Sequence, residues 1–282
     1  MGAVEAEIID LRYDGREGLL GAWLCGDVLV DCGPSACLPS LLEGLGGRQP
    51  RQLLLTHIHF DHAGAAGALV ERWPELEVHV HPIGAPHMID PTRLVASARR
   101  VFGENFERLV GDVRPIPEQN LQTIPDGGRI GRFLAGWTPG HASHHVAFLD
   151  EESGLALPGD VAGVRLASGV VFPPTPPPDI DLRAWGSSLE LLERWRPRAL
   201  ALPHFGCVAD PAAHIVAMRE ALDLHERWAA EGEDVFVERV ADRLRARMPQ
   251  EEAEDYEFIA LARPSAMGLR RWLERSGGGE AS

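Results

Sequence analysis

The sequence predicts an α/β fold closed by a C-terminal helical extension. Short aliphatic strand patterns alternate with helical ones in the first half. Residues 121–157 then read as a run of short strands, and after Cys207 the pattern turns helical. A soft boundary near residue 209 separates a first domain, 1–209, from the extension, 210–282.

In order, VEAEIIDL (4–11), LLGAWLC (19–25) and DVLVDCG (27–33) are aliphatic strands, the last ending in the turn signal Asp-Cys-Gly. SACLPSLLEGLGG (35–47) is a short helix closed by glycine. Strand QLLLT (52–56), helix AGAAGALVERW (63–73) and strand LEVHVH (76–81) follow, then a helix at 91–102 with proline at its start. The strands of 121–157 are broken by DGG, TPG and EESG. A stiff PPTPPP segment (173–178) leads into helix LRAWGSSLELLERW (182–195) and strand RALALP (198–203). Helices at 211–232, 234–248 and 267–276 complete the chain, and only the tail SGGGEAS reads as disordered. No internal repeat is visible.

Composition excludes several classes of function. The formal net charge is −15, which repels phosphate backbones, so nucleic acid is not an expected partner. No apolar run approaches ~20 residues, so no membrane span is expected. The N-terminal stretch is charged and lacks the apolar core of a signal peptide. The four cysteines, Cys25, Cys32, Cys37 and Cys207, form no CxxC pair, as expected of free thiols in a reducing compartment. A cytoplasmic protein is expected.

The chemistry is concentrated in LLLTHIHFDHAGA (53–65). Side chains alternate along a strand, so His57 and His59 point the same way as it ends. Asp61 and His62 fall where the next helix begins and are directed back to the same point. Imidazole nitrogens and carboxylate oxygens are ligands for zinc and its neighbours. Four such residues within six positions, after a buried strand, point to a metal site. Three more, His141 in TPGHASHH, Asp160 in ALPGDVAG and His204 in LALPHFG, each lie on a loop after an expected strand.

With these motifs the sequence resembles the metallo-β-lactamase superfamily of hydrolases, in its glyoxalase II-like branch. HxHxDH, the TPGH turn, the GD turn and the late histidine occur in the family's order, over roughly residues 1–209. The resemblance implies a four-layer αβ/βα sandwich as the catalytic domain, with a two-metal site at one edge of two sheets. One ion would be held by His57, His59 and His141, the other by Asp61, His62 and His204, and Asp160 would bridge both. Two divalent metal ions are expected, zinc first, with manganese or iron as alternatives. Asp31 matches an early family aspartate that orients a ligand; a plain turn residue is the other reading.

The implied reaction is attack of a metal-bridging hydroxide on a small ester, thioester or lactone. Asp61 would orient the hydroxide and carry its proton to the leaving group. Asp61, Asp160 and His144 are the candidate catalytic residues, His144 as a donor to the developing oxyanion. A hydrogen-bonded turn is the alternative for His144 and His145. The sequence after Asp160, GDVAGVRLASG, lacks the glycine- and cysteine-rich signature of glutathione-thioester hydrolases. Val161, Ala162 and Gly163 stand where quorum-signal lactonases carry a tyrosine. Val170, Val171 and Phe172 are expected to line an apolar pocket, with the proline segment as its rim or as a plain loop. His79, His81 and His87 read as packing or surface residues, and so does Cys207 as packing near the metals. Trp185, Trp195, Trp228 and Trp272 read as core or interface anchors.

The partner expected is a small-molecule substrate, and the amphipathic C-terminal helices admit a homodimer. Two alternatives remain open at this stage. One is a mononuclear-iron sulfur dioxygenase on the same fold; the other is a non-catalytic scaffold stabilised by its metal.

Overall fold

The structure is a computed structural model and describes residues 6–277. The first residues of the charged N-terminal stretch and most of the glycine-rich tail lie outside the described residues.

Two six-stranded sheets stack face to face. The first holds β1 (Ala6–Asp10), β2 (Gly21–Cys25), β3 (Val28–Val30), β4 (Gln52–Leu54), β5 (Glu77–Val80) and β6 (Leu121–Thr123), side by side in that order. β1, β2 and β3 pair antiparallel, and β3 to β6 pair parallel. The second holds β7 (Arg129–Ile130), β8 (Phe133–Trp137), β9 (Val146–Asp150), β10 (Leu155–Leu157), β11 (Ala199–Leu202) and β12 (Gly206–Val208). Its strands are antiparallel neighbours, with one parallel pair, β10 and β11.

Strand alternation explains why the central strands lack a polar face. Ala22 and Leu24 of β2, Leu29 of β3 and Leu53 of β4 join the outer core, beneath α1 (Leu38–Leu45) and α3 (Ala66–Arg72). Trp23, Cys25, Val28, Val30 and Leu54 face the other way and meet Phe133, Ala135, Val146 and Phe148 between the sheets. Each sheet is covered on its outer face by helices, giving four layers. α7 (Leu182–Trp195) and the C-terminal helices cover the second sheet.

Those C-terminal helices are α8 (Pro211–Glu231), α9 (Glu233–Arg245), α10 (Gln250–Ala260) and α11 (Ala262–Gly277). They share one core with Ala147, Val161, Phe172 and Trp185. Trp185, Trp228 and Trp272 are buried in it and Trp195 packs against it, as core anchors do.

The structure adds elements and corrects two placements. α10, β12 and the short α4 (Ala85–Ile89) and α6 (Phe106–Leu109) are not evident from the pattern, and the helix at 63–73 begins as a separate turn, α2 (Phe60–Ala63). Phe172 is 2% exposed and packs against His225 of α8 at 4.7 Å between ring centroids, so it belongs to the core and not to a pocket wall. Cys207 is exposed, because β12 is an edge strand and its side chain points outward. No described helix is long and apolar enough to cross a membrane.

Candidate metal centre

All seven expected ligands come together at one edge of the sandwich, and every one is delivered by a segment that follows a strand. His57 and His59 follow β4, and Asp61 and His62 lie on α2. His141 lies between β8 and β9, Asp160 after β10, and His204 between β11 and β12. Rigid strands therefore fix the origin of each loop, and short loops fix the side chains.

The candidate ligand atoms form two adjoining groups. His59 Nδ1 lies 3.0 Å from His57 Nε2 and 2.9 Å from His141 Nε2. His62 Nε2 lies 3.4 Å from His204 Nε2, and Asp61 Oδ2 lies 3.7 Å from each. Asp160 stands between the groups. Its Oδ1 is 3.2 Å from His62 Nε2 and 3.5 Å from His204 Nε2, and its Oδ2 is 3.6 Å from His141 Nε2.

Hydrogen bonds behind the cluster set which ring nitrogen faces inward. His62 Nδ1 donates to Asp31 Oδ2 at 2.9 Å, His141 Nδ1 to the Pro174 carbonyl at 2.8 Å, and His204 Nδ1 to the Leu19 carbonyl at 3.0 Å. His57 Nδ1 lies 3.1 Å from Thr56 Oγ1, whose own hydroxyl donates to Asp31 Oδ2 at 2.8 Å. Four imidazoles thus keep their protons on the outer Nδ1 and turn Nε2 lone pairs inward, while His59 presents Nδ1.

This donor set fits divalent cations. His57 and His141 both aim lone pairs at His59 Nδ1, where a single proton serves only one contact well. Two ligands on a tetrahedral ion with bonds of ~2.0–2.1 Å stand about 3.3 Å apart, close to the spacing here. Asp160 Oδ1 is fully buried and has no hydrogen-bond partner. A carboxylate oxygen in that state costs several kcal/mol unless a charge meets it.

For three of the histidines the electrostatics agree. Burial, with the imidazoles of His62 and His59, holds His57 well below the usual histidine range. Burial and His141 bring His59 down to about 4, and burial also lowers His141. These three stay neutral at pH 7, as ligands must. His62 goes the other way: burial opposes its charge, but the carboxylates of Asp160, Asp61 and Asp31 outweigh burial and raise it well above the usual range. Burial likewise opposes the Asp160 charge, and His62 and His204 overcome it, keeping the carboxyl well below the ordinary value.

The remaining candidates divide. Asp31 is buried, at φ 57°, and accepts from Thr56 N–H at 2.8 Å as well as from Thr56 Oγ1 and His62. His144 sits beside His59, 5.9 Å between ring centroids, and its Nδ1 accepts from Ile58 N–H at 3.5 Å, leaving its proton on Nε2. Burial and His59 bring it down to about 3. His145 is a strut: its Nδ1 meets Thr138 Oγ1 at 2.8 Å and its Nε2 accepts from Asp160 N–H at 3.1 Å. His79 and His81 belong to none of the ligand groups among the described residues; His81 packs on Trp137 at 4.3 Å. Sequence reasoning missed Thr56, although its position beside His57 was a usable signal. It also missed the Leu19 and Pro174 carbonyls, which carry no side-chain signal at all.

The family model of the metallo-beta-lactamase superfamily matches residues 26–204. Among curated proteins, the metallo-beta-lactamase fold-containing protein ST1585 of Sulfurisphaera tokodaii is 28% identical over 200 residues, 66% of this chain and 72% of that one. A hydroxyacylglutathione hydrolase of Xylella fastidiosa is 34% identical over 149 residues; the match covers 53% of this chain but only 45% of that protein. Among solved structures, TTHA1429 from Thermus thermophilus, a metallo-beta-lactamase family protein, superposes with a TM-score of 0.65 at 22% identity, over 96% of this chain and 94% of that one, and shows the fold. TTHA1623 in a di-iron-bound form superposes with a TM-score of 0.51 at 27% identity, over 74% of this chain and 92% of that one.

Proposed function

This chain belongs to the metallo-beta-lactamase superfamily, and on that premise we propose that it is a dinuclear metal-dependent hydrolase of small esters, thioesters or lactones. One observation carries the reading: six ligand-type side chains converge in two groups of three, and Asp160 stands between them, within 3.6 Å of a histidine of each, with its inner oxygen buried without a partner. His57, His59 and His141 would hold one ion, Asp61, His62 and His204 the other. Zinc is the first candidate, with manganese or iron as alternatives. When bound, such ions supply Lewis acidity and lower the pKa of water toward ~7.

The chain's own residues do the rest. The Asp61 side chain is about one-third exposed, with Oδ2 turned to His62 and His204, so its other oxygen is free to take the proton of attacking water and pass it to the leaving group. His144, neutral and with its proton on Nε2, donates to the oxyanion that forms on the substrate carbonyl. Asp31 and Thr56 hold His62 and His57 in the tautomers that the ligand role needs. His59 is only half-buried and marks the side from which substrate approaches.

The hydroxyacylglutathione hydrolase relatives support a thioester among the substrates. The acidic charge supports a small-molecule partner rather than nucleic acid, without a membrane. The free thiols support a cytoplasmic setting. We retain residues 1–209 as the catalytic domain and 210–282 as its helical extension, with a homodimer formed through that extension. A mononuclear-iron dioxygenase would leave Asp61, His62 and His204 without a task.

Thioesters, lactones and carboxyl esters screened with the metal-loaded protein should reveal turnover that Asp61→Ala and His62→Ala each abolish. Activity retained in either variant would sink the mechanism.

A further inference from the structure

The segment 163–178 runs from the end of the Asp160 turn to the last residue of the proline run, and it touches a ligand histidine at each end. Near its start, Arg165 N–H donates to the His204 carbonyl at 2.5 Å, and Phe205 N–H returns to the Arg165 carbonyl at 3.2 Å. Near its end, the Pro174 carbonyl receives the His141 Nδ1 proton at 2.8 Å. The two histidines belong to different ligand groups.

The C-terminal helices grip this segment at both places. The Tyr256 hydroxyl of α10 accepts from Leu166 N–H at 2.8 Å and donates to the Val170 carbonyl at 2.5 Å. Ser265 of α11 makes a reciprocal pair with Thr175: its Oγ accepts from Thr175 N–H at 3.2 Å, and its carbonyl accepts from Thr175 Oγ1 at 3.0 Å. α11 lies so close that a Cβ at Gly268 would stand 2.0 Å from the Thr175 carbonyl oxygen. Tyr256, Ser265 and Thr175 are buried, so these bonds form away from competing water.

We propose that the C-terminal helices act as a two-point clamp on the metal centre, with Tyr256 positioning His204 and the Ser265–Thr175 pair positioning His141. This rests on the two-ion reading above. Each point serves one ligand group, so each should tune one ion and spare the other. The extension is then part of the site's machinery, acting through backbone held in register.

The test is a two-step zinc titration against a chromophoric chelator, with His141→Ala and His204→Ala as references that identify each step. Thr175→Val should weaken the step lost in His141→Ala by about tenfold, the lower end of what an outer partner of a metal ligand contributes, and leave the other step unchanged. Tyr256→Phe should do the converse. Ser265→Ala reads the same point as Thr175→Val if that variant does not fold, and Thr175→Ser should restore wild-type binding. Circular dichroism of the metal-free proteins checks that the fold is retained. Two wild-type steps, or equal weakening of both steps, in both Thr175→Val and Tyr256→Phe would overturn the clamp. A wild-type chain that takes up no zinc would overturn both the clamp and the metal reading beneath it.

Discussion

Asp31→Asn separates the support of a ligand from the ligand itself. The native carboxylate takes three donors: Thr56 N–H, the Thr56 hydroxyl and His62 Nδ1–H, at 2.8, 2.8 and 2.9 Å. Asparagine matches the size and tolerates the left-handed backbone at φ 57°, so the turn survives. It has one acceptor oxygen, and its amide must then face either the Thr56 N–H or His62. Facing His62, it drives that ring to the tautomer with a proton on Nε2, the atom directed at Asp160 and His204. Losing a hydrogen bond to a charged buried group costs about 1.5–3 kcal/mol, which is about 10- to 150-fold in binding. Zinc affinity of the group containing His62 should fall by that factor in a chelator competition, with the far-ultraviolet spectrum unchanged. Affinity within about twofold of wild type would refute the argument that Asp31 sets the His62 tautomer.

Other perturbations reach the remaining parts of the structure. Gly140 has φ 140°, and a Cβ there would meet Trp185 Cα at 2.5 Å; Gly140→Ala should cost about 1–3 kcal/mol in urea unfolding, and unchanged stability would contradict the close approach. His225 is fully buried among Phe172, Trp228 and Phe236, and burial with Arg243 brings it down to about 3. Between its unfolded value of about 6.5 and that folded value, the unfolded chain binds a proton the folded chain does not, so stability falls as pH falls through this window. From pH 7 to 5 the loss is about 2 kcal/mol, and His225→Phe should flatten the curve by that amount; parallel curves for the two proteins would refute it. Removing bound metal should lower the thermal midpoint, since an ion held at about 1,000 times its Kd contributes about 4 kcal/mol; identical melting with and without chelator would contradict an ion-supported fold.

The candidate ligands were legible because each carries its chemistry in its own side chain and sits where a strand pattern ends. His57, His59, Asp61 and His62 lie within one run, and His141, Asp160 and His204 each follow an aliphatic stretch. The support around them was not legible. The Leu19 and Pro174 carbonyls are backbone atoms, and only tertiary geometry selects them from among the chain's other carbonyls. α10 was hidden because QEEAEDYEFIA buries only Ala253, Tyr256 and Ala260, two of them too small to mark an apolar face. Phe172 read as a pocket residue because its local pattern VVF is apolar; α8, which covers it, is about fifty residues away in sequence. The outward turn of Cys207 was illegible for a similar reason, since nothing local says that β12 is an edge.

Metal content of protein purified without added metal tests the central claim most directly. The account predicts about two divalent ions per chain, with both lost when Asp160 is replaced by Ala, because that carboxylate stands between the ligand groups. One iron per chain, or no metal with full thermal stability, would contradict it.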